Sequence, residues 1–153
     1  MAIRFSTGLR QAMLDSIGMR AAMANGVIRI YSGAQPLAAD DAVAGTLLME
    51  VTVDGLAFNH GTATNGLNFD APVAALLAKA AGEVWRGTGL ADGTAGWFRM
   101  SANPLDSGGS STTLARVDGI AAKTGGDLVL SNSSIVTSQP NTVDAFQFAM
   151  NQT

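Results

Sequence analysis

Thr46-Leu47-Leu48-Met49-Glu50-Val51-Thr52-Val53 alternates its side chains with a period of two. In an extended chain successive side chains point to opposite sides. Leu47, Met49, Val51 and Val53 therefore share one face, and Leu48, Glu50 and Thr52 share the other. Asp54-Gly55 follows directly and supplies a turn pair. This stretch reads as a strand, and its neighbours repeat the pattern.

Upstream, Val27–Tyr31 is a short β-branched run closed by Ser32-Gly33, and Ala34–Gly45 is a loop around Pro36 and Asp40-Asp41. Downstream, Glu83–Thr88 and Thr94–Ser101 read as two arms of a hairpin joined through Gly89–Gly93, each arm carrying one tryptophan. Leu114–Val117 and Ile120–Ala122 flank Asp118-Gly119, a second hairpin signal. Asp127–Leu130, Ser134–Thr137 and Thr142–Met150 complete the series, and Phe146, Phe148 and Met150 fall on one face. Pro72–Ala81 stays open between a helical turn, which its alanines favour, and a strand. Short strands separated by turn residues predict a mainly β fold over residues 27–153, a β-sandwich for which jelly-roll connections are one option.

The first 26 residues follow a different period. Leu9, Met13 and Ile17 recur every four residues with Leu14 beside them, which is the stripe of a helix. Ser6 or Thr7 caps its start, Gly18 stops or kinks it, Met19–Ala24 adds a turn, and Asn25-Gly26 ends it. Four of the seven methionines lie in the first 23 residues, and methionine packs adaptably on irregular surfaces. Residues 1–26 are thus expected to form a helical arm. Arg4, Phe5, Leu9, Arg10, Met13, Ile17 and Arg20 are its candidate contacts with a partner, and removing Met1–Asn25 is expected to leave the β body folded.

Charge is unevenly placed. Four arginines face one acid through Ile30, whereas five basic residues face eleven acids from Tyr31 onward. The basic start and acidic body can attract each other within or between chains. Four interleaved arginines do not make a nucleic-acid arm, so none is expected as a partner. No apolar run approaches the ~20 residues of a membrane helix, so no membrane partner is expected either. The chain has no cysteine, which excludes disulfides and thiolate chemistry. With 14% charged residues, the surface holds water poorly and suits coverage by neighbours.

A search for catalysis finds little. His60 is the only histidine and lies in a polar, Gly-rich stretch; no serine sits in a Gly-x-Ser-x-Gly elbow, and no calcium-loop pattern occurs. Asp54-Gly55, Asp92-Gly93 and Asp118-Gly119 read as turns. Trp85, Trp97, Phe98 and Tyr31 are expected mainly in the core. The expectation is a protein without a catalytic, cofactor or metal site.

Several blocks carry a resemblance. Val27-Ile28-Arg29-Ile30-Tyr31-Ser32-Gly33-Ala34-Gln35-Pro36, Ala38-Ala39-Asp40, Gly45-Thr46-Leu47-Leu48, Gly93-Thr94-Ala95-Gly96-Trp97-Phe98-Arg99, and Gly126-Asp127-Leu128-Val129-Leu130 with Ser134-Ile135-Val136 occur in this order. Together they resemble the small structural proteins of tailed bacteriophages and prophages. That resemblance implies a virion protein made in the bacterial cytoplasm. One role it allows is a capsid decoration or cement protein on the capsid surface, with the major capsid protein and copies of itself, as dimer or trimer, for partners. A second role is a tail, baseplate or fibre-attachment component. A virion-associated glycan hydrolase is the third, more distant, option.

Overall fold

The computed structural model describes residues 3–150; Met1, Ala2 and residues 151–153, at the outer ends of the expected arm and β domain, lie outside the described residues. The chain is mainly β, a curled, open half-barrel sheet with a short N-terminal helical element. Strand β1 (Arg4–Phe5) precedes helices α1 (Thr7–Leu14) and α2 (Gly18–Ala22). Strand β2 (Val27–Tyr31) matches the β-branched run, and β3 (Leu47–Val51) is the inner part of the alternating Thr46–Val53 stretch. Then come β4 (Leu76–Ala78), β5 (Arg86–Thr88), β6 (Gly93–Thr94), β7 (Trp97–Ser101), β8 (Arg116–Ala122), β9 (Leu128–Leu130), β10 (Ser134–Ile135) and β11 (Pro140–Ala149).

The large sheet runs β3-β2-β7-β8-β9-β11-β4, with β1 on β8 and β5 on β11, while β6 and β10 pair separately. Its ladders are antiparallel except β8 with β9. The curl comes from β11, which divides its partners. Its first residues pair with β5, and β5 reaches back to β3, where Thr52 and Arg86 exchange both backbone hydrogen bonds at 2.9 Å. Its last residues take β4 instead. One end of the half-barrel thus returns towards its own edge. At the other end no ladder joins β1 to β11 among the described residues, and the wall stays open.

Period-two alternation fills the inside. Ile28 and Ile30, Met49 and Val51, Phe98 and Met100, Val117 and Ala121, and Leu128 and Leu130 all point into one core. Trp85, Phe69, Phe146 and Phe148 form an aromatic cluster within it, with ring centroids 4.7–6.0 Å apart. Leu48 is buried too, although it alternates away from Met49. The ladder register shifts opposite Ile30 and Tyr31, and Gly93 lies so close to the Leu48 side chain that a Cβ there would meet it at 2.8 Å.

The N-terminal residues belong to this core. Leu9 and Met23 are completely buried within it. Ser6 caps α1 through its Oγ, which accepts the Leu9 N–H at 3.1 Å. The same hydroxyl accepts the Arg116 N–H at 2.9 Å and donates to the Leu114 carbonyl at 2.8 Å, tying the helix start to β8. Gly18 opens α2 with a φ of +71°, where a side chain would be strained. Leu9 and Met23 share one buried cluster with Ile28, Met100 and Val117, so the expected arm contributes side chains to the core of the expected β domain.

Two hairpin expectations are corrected. Glu83–Thr88 and Thr94–Ser101 do not pair with each other: β5 pairs with β11, and β7 lies between β2 and β8. Asp118-Gly119 is not a turn but the middle of β8. Gly119 faces the core, where a Cβ would meet the Phe98 ring at 2.7 Å and Ile3 at 2.9 Å. Glycine is there because two side chains fill its space. Asp54-Gly55 does turn, with Gly55 at φ +76° and the Asp54 carboxylate accepting the Leu56 N–H at 3.0 Å.

Candidate interaction groove

The sheet's two faces carry different chemistry. On the face away from the core, one row of β3, β2, β7, β8 and β1 places Glu50, Arg29, Arg99, Asp118 and Arg4 directly across from one another. Arg99 grips Asp118 with two bonds of 2.7 Å, and both side chains are buried. One row along, Arg116 grips Asp106 in the same way. Arg29 pairs with Glu50 at 2.8 Å in a half-buried position.

Loops close over this charged layer. Arg99 also donates to the Asp41 carbonyl at 2.9 Å, Arg116 to the Gly109 carbonyl at 2.7 Å, and Trp97 Nε1 to the Ala44 carbonyl at 3.2 Å. Arg4 donates to the Pro36 carbonyl. Tyr31 stacks on Trp97 at 4.7 Å, and burial pushes its phenol pKa up. Burial likewise raises the Asp118 pKa, outweighing the Arg99 bonds that oppose it. For Asp106 burial also pulls upward, but Arg116, the Gly108 N–H and Ser101 together hold its pKa below the ordinary value. Every charge in these two buried pairs has a partner. The layer fastens the 32–46 and 103–115 loops to the sheet.

The open end of the half-barrel is different. Between α1, α2 and β1 on one side, and the 68–77 segment with the end of β11 on the other, lies an apolar groove of about 1160 Å³. That exceeds the usual size of a small-molecule pocket, roughly 300–1,000 Å³. Phe5, Met13, Met19, Phe69, Leu77 and Phe148 supply its apolar lining. Around it Ile17 and Met150 are 53% and 70% exposed, and the two leave apolar surface uncovered. Arg20 is the basic residue on this lining, its Nε donating to the Phe69 carbonyl at 3.0 Å.

Four of the seven expected contact residues meet here: Phe5, Met13, Ile17 and Arg20. Leu9 does not; it is turned inward and fully buried, so in this conformation it contacts only its own chain. Arg10 is exposed outside the groove, its Nη2 donating to Thr7 Oγ1 at 2.9 Å. Arg4 sits in the charged layer. The far wall escaped sequence reasoning. Phe148 could have been found from the shared face of Phe146, Phe148 and Met150. Phe69, in a polar stretch, carried no periodic signal.

Other candidate residues lie apart. His60 is exposed in a loop. Asp40 accepts from the N–H and hydroxyl of Thr7, at 2.8 and 2.6 Å, whereas the Asp41 carboxylate accepts the Ala38 N–H at 2.9 Å. Among the described residues no three His, Asp or Glu side chains gather where they could hold a metal ion, and no helix is long and apolar enough to cross a membrane. No family model, curated protein or solved structure matches this chain.

Proposed function

We propose that this chain is a structural subunit of a tailed-bacteriophage or prophage virion, most directly a capsid decoration or cement protein. Its partners in this proposal are the major capsid protein and further copies of itself, as a dimer or trimer. Its place is the capsid surface after synthesis in the bacterial cytoplasm. The observation that carries the proposal is the groove. Phe5, Met13, Ile17 and Arg20, chosen from the sequence as contacts, share one apolar depression with uncovered apolar residues beside it. Contiguous exposed apolar surface is costly for a free monomer and suits a site that a partner covers. The ordered blocks from Val27 to Val136 that resemble phage structural proteins supply the virion context. In the same proposal the two flanks of the curled sheet act as the layers of a flattened sandwich, with the groove at its open end.

A decoration protein works by addition: each copy adds a modest interface, and many copies on a symmetric shell raise total stability. The test is to count this chain in purified particles by quantitative mass spectrometry against the major capsid protein. A decoration role gives a copy number that is a large, fixed fraction of the capsid subunits. A count of a few per particle would move the chain to the tail, and its absence from particles would end the proposal.

A further inference from the structure

Pro72–Ala81 carries two conformational instructions that disagree. Its ten residues include five alanines, two leucines and a lysine, and Gly82 follows. Ala, Leu and Lys are strong helix formers, Pro fits the first helical turn, and Gly is favoured just past the last. Wound as a helix, the segment would place Val73, Leu76, Leu77 and Ala80 on one apolar stripe.

The fold holds it as a hairpin instead. Val73 and Leu76 exchange backbone hydrogen bonds of 3.0 and 2.9 Å around a two-residue turn. The turn residues are Ala74 and Ala75, at φ +52° and +62°. Such turns ordinarily take Asn-Gly or Gly-Gly, because a Cβ is crowded at positive φ. Each left-handed alanine weights the hairpin against its alternatives by roughly tenfold. Opposing that weight are the three-residue ladder of β4 with β11, the burial of Leu77, and the Asp70 carboxylate accepting the Ala81 N–H at 2.9 Å. On the other edge the Asp70 N–H donates to the Ala78 carbonyl at 3.1 Å and the Ala80 N–H to the Asn68 carbonyl at 3.0 Å. Residues 71–75 are exposed without a break, and beyond the Val73–Leu76 pair the turn is tied through the Ala75 carbonyl, which accepts the Met150 N–H at 2.9 Å.

We infer that Pro72–Ala81 is a two-state segment: a strained hairpin at rest and an amphipathic helix in its other form. The exchange opens and rebuilds one wall of the groove. Pro72, Ala75 and Leu77 line that wall, and leaving β11 carries them away together. A helix of this length is marginal by itself in water, so the helical form stays sparsely populated in the free chain. The inference rests on backbone strain and local sequence, and stands whether or not the chain is a virion protein.

The test is carbon-13 saturation-transfer NMR on the Cα positions of residues 73–80 in the full-length protein. The wild type shows a sparsely populated second state with helical shifts at Leu76–Ala80. Replacing the turn by Ala74→Asn with Ala75→Gly relieves the strain and lowers that population at least about tenfold. Ala75→Val, whose branched Cβ tolerates positive φ worst, raises it. A single state in both the wild type and Ala75→Val overturns the inference. So does a second state with unfolded-chain shifts, which would be fraying. If Ala75→Val does not fold, the wild type against the Asn-Gly variant decides.

Discussion

Asp118 and Gly119 show how one dipeptide can carry two roles that a sequence does not separate. Asp-Gly ordinarily marks a turn, yet here Asp118 turns outward to Arg99 and Gly119 turns inward to make room for Phe98 and Ile3. Nothing local distinguishes this from a turn, because both reasons come from distant residues. Removing one member of a buried pair strands the other, at about 3–5 kcal/mol. Arg99→Met is therefore expected to cost about that much in urea denaturation, and Arg99→Met with Asp118→Leu to recover most of it. A loss under about 1 kcal/mol for the single variant would mean that the pair is exposed and screened.

Acidity reads the carboxylates as a group. Thr7 lowers the Asp40 pKa, the Leu56 N–H that of Asp54 and the Thr137 N–H that of Asp92; Asp106 is lowered by Arg116 against the pull of burial. A carboxylate with a lowered folded-state pKa adds stability above about pH 4, and that stability is lost as pH falls through the folded value. Asp118 has the opposite sign, since its raised pKa means that protonation relieves a burial cost. Each lowered group adds stability that is lost as pH falls from about pH 5 to pH 3, so side-chain NMR titration should place Asp40, Asp54, Asp92 and Asp106 below the ordinary carboxylate value and Asp118 above it. Asp118 titrating below the other four would contradict the assignment.

The elements divide into those that local pattern determines and those that partners determine. Val27–Tyr31 became β2 with the boundaries that its β-branched run marked, and of the two expected caps, Ser6 or Thr7, Ser6 is the one that caps α1. Strand partners were not legible. Trp85 and Trp97 looked like hairpin arms because Gly89–Gly93 lay between them, but β11 and β2 claim those strands from far along the chain. The N-terminal helices were legible as elements and not as part of the core, since an apolar stripe does not say whose surface it covers. Leu9→Ala should therefore cost about 2–5 kcal/mol, the range for a buried leucine, and deletion of residues 1–25 should abolish the cooperative thermal transition. A truncated protein that melts as sharply as the full chain would restore the picture of a detachable arm. Gly119→Ala should overpack β8 against Phe98 and Ile3 and lose roughly 1–3 kcal/mol.

For the molecule entire, the two faces of the sheet suggest a division of labour. The charged layer is closed by loops and fixes the half-barrel's shape, whereas the open end leaves an apolar groove with uncovered rims. One wall of the groove was partly visible in the sequence, through Met13 and Ile17 of the apolar stripe. The wall made by Phe69 and Leu77 was not, because it depends on how β11 bends to take β4. Ile17→Asp puts a charge on an exposed rim position and should leave the melting temperature within about 2 °C of wild type. It should nevertheless lower occupancy in particles several-fold, as read by mass spectrometry. Electron cryo-microscopy of purified particles tests the claim of a groove-borne contact most directly. The account predicts density for this chain on the capsid surface, with Phe5, Met13, Ile17 and Phe148 covered by a capsid subunit or a second copy. Particles that carry the chain with this groove open to solvent in every copy would contradict it.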